Sequence, residues 1–121
     1  MPKESFLQNR IRSVGIALKG ALLLIKTEAS IKIQVFIALV VTAGGFYFNI
    51  SATEWIFQIF AISMVLGIEG LNTAVEKLSD FVKPGYDHKI GFIKDISAGA
   101  VMLVSIGASI IGLIIYIPKF F

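Results

Sequence analysis

The sequence predicts an all-α membrane protein, with three spanning helices behind an N-terminal amphipathic surface helix. Three observations lead there. Of 121 residues, 56% are hydrophobic and 16% charged, with mean hydropathy +0.85; a soluble domain sits near 45–50% apolar and about 25% charged. The apolar residues fall into three long runs separated by short polar turns. The lysines and arginines are gathered into two places: ten of the eleven lie before Ile33 or between Lys77 and Lys94, and Lys119 alone falls elsewhere. One domain over 1–121 is the expectation for this length. With no cysteine there is neither a disulfide framework nor a thiolate metal site. A lone histidine, His88, argues against a histidine-based zinc centre. The net charge of +3 is explained by membrane topology rather than by a nucleic-acid partner.

In chain order, Met1 to Ser5 is expected to be a short disordered lead. Residues 6–27 place Leu7, Ile11, Val14, Leu18, Ala21, Leu22 and Ile25 near helical spacing, while Arg10, Arg12, Lys19 and Lys26 project from the remaining surface. A basic amphipathic helix of this kind lies in the membrane interface. No cleavable signal is expected, because charges are spread through this segment. The first span is expected at about 31–50, roughly the 20 residues that a bilayer core requires. Lys32 snorkels at its start, and Phe46, Tyr47 and Phe48 form an aromatic belt at its end. Asn49 to Glu54 reads as a turn, with Ser51 or Thr53 capping the next helix and Trp55 marking the same interface.

The second span is expected at about 54–80. Only 14 uncharged residues, Trp55 to Ile68, precede Glu69, too few to cross, so the helix must continue through Glu69, Asn72, Glu76 and Asp80. Offsets of three, seven and eleven return to one helical face, so these four make a polar stripe with Thr73 at its flank. An acid at membrane depth costs about 2.5–3.5 kcal/mol on insertion scales and marks a functional position. The bland alternative is a protonated Glu69 hydrogen-bonded to a neighbouring helix; four aligned polar groups weigh against it. Lys83-Pro84-Gly85 should stop the helix. The third span is expected at about 96–117, with residues 89–95 leading into it and Pro118 and Lys119 ending it. Its small residues, Ser97, Ala98, Gly99, Ala100, Ser105, Ala108, Ser109 and Gly112, suit a central place in a bundle.

The positive-inside rule then sets the N-terminus and the loop around Lys83 in the cytoplasm, which collects Glu28, the acidic stripe, Lys94 and Asp95 where ATP is found. Mg²⁺ takes oxygen ligands, commonly one or two carboxylates together with substrate phosphates. Glu28 and Glu76 are the carboxylates best placed for it. Lys94 can neutralise phosphate charge, while Glu69, deeper in the lipid, can receive a proton from a lipid hydroxyl. There is no Walker A sequence and no protein-kinase signature, so such chemistry needs another architecture. Three spans bury little surface, so closing a site calls on neighbouring subunits.

Glu69-Gly70-Leu71-Asn72-Thr73-Ala74-Val75-Glu76, then Asp80, then Lys94-Asp95-Ile96-Ser97-Ala98-Gly99-Ala100-Val101 resemble the signature of the small bacterial membrane lipid kinases, the diacylglycerol kinase/undecaprenol kinase family. The resemblance extends over nearly the whole chain. It implies a homotrimer in the bacterial inner membrane, with active sites between subunits at the cytoplasmic surface. It also implies transfer of the γ-phosphate of Mg-ATP to a lipid alcohol. By position, Glu69 looks like the catalytic base that meets the lipid substrate, and Glu28 and Glu76 look like the metal ligands. Arg10, Asn72, Tyr86, Lys94 and Asp95 join Glu28 and Glu76 in the implied nucleotide site. The chain departs from the family at Gln34, where one branch has an acid, at Glu28-Ala29-Ser30-Ile31, and at His88, one place late. The Asn72-Thr73-Ala74 form and the ending Gly112 to Lys119 resemble the undecaprenol kinase branch more than the diacylglycerol one. Two other readings compete: a proton-coupled transporter using Glu69, and an accessory subunit packed through its small residues. Only the kinase requires Mg-ATP.

Overall fold

A computed structural model describes residues 5–121 as four helices, α1 (Phe6–Thr27), α2 (Ala29–Tyr47), α3 (Ala52–Val82) and α4 (His88–Phe120). The lead expected at Met1 to Ser5 lies outside the described residues except for Ser5, which is a helix cap. Its hydroxyl accepts from Gln8 N, and the Gln8 side chain accepts from Ser5 N, both at 3.1 Å. This reciprocal arrangement satisfies two of the amide donors that a helix start leaves open.

The bend between α1 and α2 is a single residue wide. Glu28 has extended backbone (φ −104°, ψ 118°) and serves as C-cap of α1 and N-cap of α2 at once. Its N–H still donates to Leu24 O, and its C=O accepts from Lys32 N, so the ladder is bent with little loss of bonding. The first span starts two residues earlier than expected and ends at Tyr47. Asn49 then takes a positive φ of 50° to turn the chain, a backbone region that asparagine tolerates better than most residues.

Ser51, not Thr53, caps α3, again in a reciprocal pair, here with Glu54. The helix runs without interruption for 31 residues, roughly 46 Å at 1.5 Å per residue, against a bilayer core of about 30 Å. Continuation through the acidic stripe is therefore what the structure has. Gly85, with φ 82°, makes the turn after Lys83. α4 begins eight residues before the expected span, at His88, because Asp87 caps it by accepting from Lys89 N and Ile90 N. It also passes through Pro118 to Phe120, which corrects the expectation that Pro118 ends it. So near the terminus, proline removes one ladder bond and leaves only a short tail to disturb.

Three helices, α2, α3 and α4, are long and apolar enough to cross a membrane. α3 packs against both α2 and α4, most extensively against α4. Within the chain α3 is thus the central helix, a place expected of the third span. Small residues of α4 do face the centre, where Ser105, Ala108, Ser109 and Gly112 line a cavity of about 330 Å³ with Gln34, Gln58 and other residues of α2 and α3.

The end of the bundle near the α2–α3 turn is tied by aromatic packing and one polar knot. Gly45 is buried against Trp55, and a Cβ there would come within 2.6 Å of the indole, so this helix approach requires glycine. Gln58 is 3% exposed. The Tyr116 hydroxyl donates to Gln58 Oε1 and lies 3.0 Å from Val41 O, joining all three spans. Lys119 reaches Glu54 beside it at 3.4 Å. Because hydrogen bonds between membrane helices average about 0.6 and reach about 1.7 kcal/mol, Tyr116→Phe should lower unfolding stability by about that much. Denaturation in mixed micelles measures this, and unchanged stability would mean the knot holds nothing together.

Candidate active site

Among the described residues, every buried polar or charged side chain lies on α3: Gln58, Glu69, Asn72, Thr73 and Ser79. Gln58, Ala61, Val65, Glu69 and Asn72 repeat at three- and four-residue spacings, and Ser79 returns to that face seven residues after Asn72, which is the packed stripe of an amphipathic helix. Toward the α3–α4 loop that stripe changes from apolar to polar. Glu69 is 8% exposed, and Thr73 satisfies its own hydroxyl by donating back to Glu69 O at 3.1 Å. Gly70 faces α1, where a Cβ would stand 3.0 Å from Leu24 Cδ1. Glycine here lets the end of α1, and with it Glu28, close on α3.

One turn beyond Glu69, Asn72 Nδ2 donates to Glu76 Oε1 at 3.0 Å. Asn72 Oδ1 is buried with no hydrogen-bond partner, and a buried acceptor left unmade is costly. Glu76 itself is exposed. Asp80 pairs with Lys94 of α4, so the expected meeting of the stripe with Lys94 occurs at its last acid. Asp95 is exposed on the next position of α4. Tyr86 is 87% exposed and lines a shallow pocket with Asp80, Gly85, Asp87, Gly91 and Lys94. Glu28 meets α3 through Lys77, whose Nζ lies 3.1 Å from Glu28 Oε1.

Arg10 does not join these residues within one chain. It donates to Asn9 Oδ1 at 2.8 Å and stacks over Phe6, and eighteen residues of helix separate it from Glu28, roughly 27 Å. From sequence alone Lys77 reads only as a topology charge, and neither its contact with Glu28 nor the Gln58–Tyr116 pair is foreseen. Lys77 directly follows Glu76, and that adjacency was the available signal.

The donors suit a hard cation. Glu28, Glu76 and the unpartnered Asn72 Oδ1 are all oxygens, and Mg²⁺ is commonly held by one or two carboxylates with phosphates completing its shell. Among the described residues, no group of three or more acids, histidines or cysteines is gathered as for a metal ion.

Comparison with known proteins adds an independent line. The family described as prokaryotic diacylglycerol kinase matches residues 15–116. Undecaprenol kinase of Bacillus subtilis (strain 168) is 32% identical over 94 residues, covering 78% of this chain and 76% of the relative.

Proposed function

This chain belongs to the prokaryotic diacylglycerol kinase family and is a multi-pass membrane lipid kinase, and we propose that it transfers the γ-phosphate of Mg-ATP to the hydroxyl of undecaprenol. The observation that carries this reading is the buried Glu69 carboxylate on the same α3 stripe as the Asn72–Glu76 pair. Seven residues, roughly 10 Å of helix, separate the buried Glu69 from the exposed end where a nucleotide can dock.

In the proposed reaction Glu69 takes the proton of the lipid hydroxyl as its oxygen bonds to the γ-phosphorus. The bond from that phosphorus to the bridging oxygen breaks and ADP leaves. Glu28 and Glu76 would hold Mg²⁺, which when bound neutralises phosphate charge. Asn72 holds the Glu76 carboxylate through its Nδ2 and has its own Oδ1 unpartnered. Lys94 and Asp95 sit at the nucleotide end with Tyr86. Arg10, remote within its own chain, acts across a subunit boundary in a homotrimer. The lysine and arginine distribution supports a cytoplasmic N-terminus and active site in the bacterial inner membrane.

Undecaprenol is preferred because the relative over 78% of the chain is an undecaprenol kinase. The family's own description supplies the second reading, diacylglycerol as acceptor. Transfer from labelled ATP with Mg²⁺ to undecaprenol and to diacylglycerol, in separate micelles, decides between them. Faster turnover of undecaprenol is expected, and preference for diacylglycerol would reverse the assignment. Transfer to neither, without ATP binding, would bring back the transporter reading.

A further inference from the structure

Lys77 lies on the exposed side of α3, yet its ammonium is drawn back onto the Glu28 carboxylate at the α1–α2 bend. The two partners are unequal: the Lys77 side chain is 70% exposed, that of Glu28 only 23%. Glu28 is also held by its backbone, which caps two helices, and its side chain makes no cap bond to α2. The Glu28 backbone is therefore fixed, with its half-buried carboxylate free of any cap bond, and the lysine is the more mobile partner, a cation on a four-carbon stem.

We propose that Lys77 is a resident counter-ion of the metal site, occupying Glu28 when no divalent cation is bound and moving to the nucleotide phosphates when one is. The inference rests on the proposed assignment of Glu28 and Glu76 as metal ligands. Glu28 Oε1 cannot give its full charge to both an ammonium and a metal ion, so cation arrival weakens the ion pair. The released Nζ starts 3.1 Å from a metal-ligating oxygen, within a short swing of phosphates on that metal. Charge balance favours the move. MgATP remains anionic, Glu28 and Glu76 add negative charge, and Lys94 is already paired with Asp80. Lys77 is the cation that the metal itself sets free. It is a positioning residue for the empty site and a phosphate contact for the loaded one.

The test uses the full-length protein in detergent and Mn²⁺ as a spectroscopic probe. Lys77→Met keeps the stem and removes the charge. An exposed ion pair is worth about 0.2–1 kcal/mol, so without nucleotide the variant should bind Mn²⁺ about 1.4- to five-fold more tightly by electron paramagnetic resonance. Its KM for MgATP should rise by about ten-fold, as for loss of a hydrogen bond to a charged group, and Lys77→Arg should restore both values toward wild type. A merely structural lysine would not raise metal affinity on removal. Unchanged Mn²⁺ affinity in Lys77→Met, with wild type binding Mn²⁺ and Glu28→Gln weakening it, overturns the counter-ion role alone. Wild type failing to bind Mn²⁺, or Glu28→Gln leaving it unaltered, overturns the metal assignment and this inference together.

Discussion

Glu69→Gln should lose at least about a hundred-fold in phosphate transfer while still binding ATP. Positioned general bases contribute about 10²–10⁴ to rate, and an amide keeps the shape of the carboxylate without its proton affinity. The site favours a clean reading. Glu69 is 8% exposed and lies in the packed stripe between Val65 and Asn72, where an isosteric neutral group disturbs packing little. Removing a buried acid also removes its insertion cost, so the variant should be no less stable than wild type. Isothermal titration with ATP, thermal unfolding in detergent and radiolabel transfer together separate the effects. Near-normal transfer would end the assignment of Glu69 as base. Lost ATP binding would instead make Glu69 part of the nucleotide pocket.

What the sequence made legible follows from how strong each local signal is. The acidic stripe was readable because 14 uncharged residues cannot cross a bilayer, which forces α3 through Glu69 whatever the rest of the fold does. The Ser51 cap and the Gly85 turn were readable because their chemistry is local. Where α4 begins was not, although Asp87 is an ordinary cap residue: charges at Lys89, Lys94 and Asp95 hid about two turns of helix from a hydropathy reading. Pro118 misled for a related reason, since a breaker near a helix end has little ladder left to break. Contacts between distant segments left no trace in any periodicity. Gln58 with Tyr116, separated by 58 residues, and Lys77 with Glu28 are pairings that only the packing of α3 creates. The same holds for Gly70, whose neighbour is Leu24 of α1 rather than anything in its own motif. In this chain the helix that carries the polar stripe was therefore easier to read than the contacts between distant segments that hold it.

The second large effect is expected at Glu76. Its carboxylate is exposed and accepts from Asn72 Nδ2, so Glu76→Gln should leave stability within about 0.5 kcal/mol, as for surface changes generally. Function should respond quite differently. Loss even of an outer partner of a metal ligand costs about 10–100-fold in affinity, and loss of a ligand carboxylate should cost no less. The Mg²⁺ concentration needed for half-maximal transfer should thus rise by at least about ten-fold, and saturating Mg²⁺ should recover part of the turnover. That recovery separates Glu76 from Glu69, since no amount of cation replaces a missing proton acceptor. Asn72 sharpens the comparison. Its Oδ1 is already an unpartnered buried acceptor, and beside an amide at position 76 its side chain can turn over to donate or accept, so the pair stays bonded while the charge is gone. Any loss in Glu76→Gln then reports on charge at the site, not on a broken hydrogen bond. An unchanged Mg²⁺ requirement would remove Glu76 from the metal site and leave Glu28 without its partner.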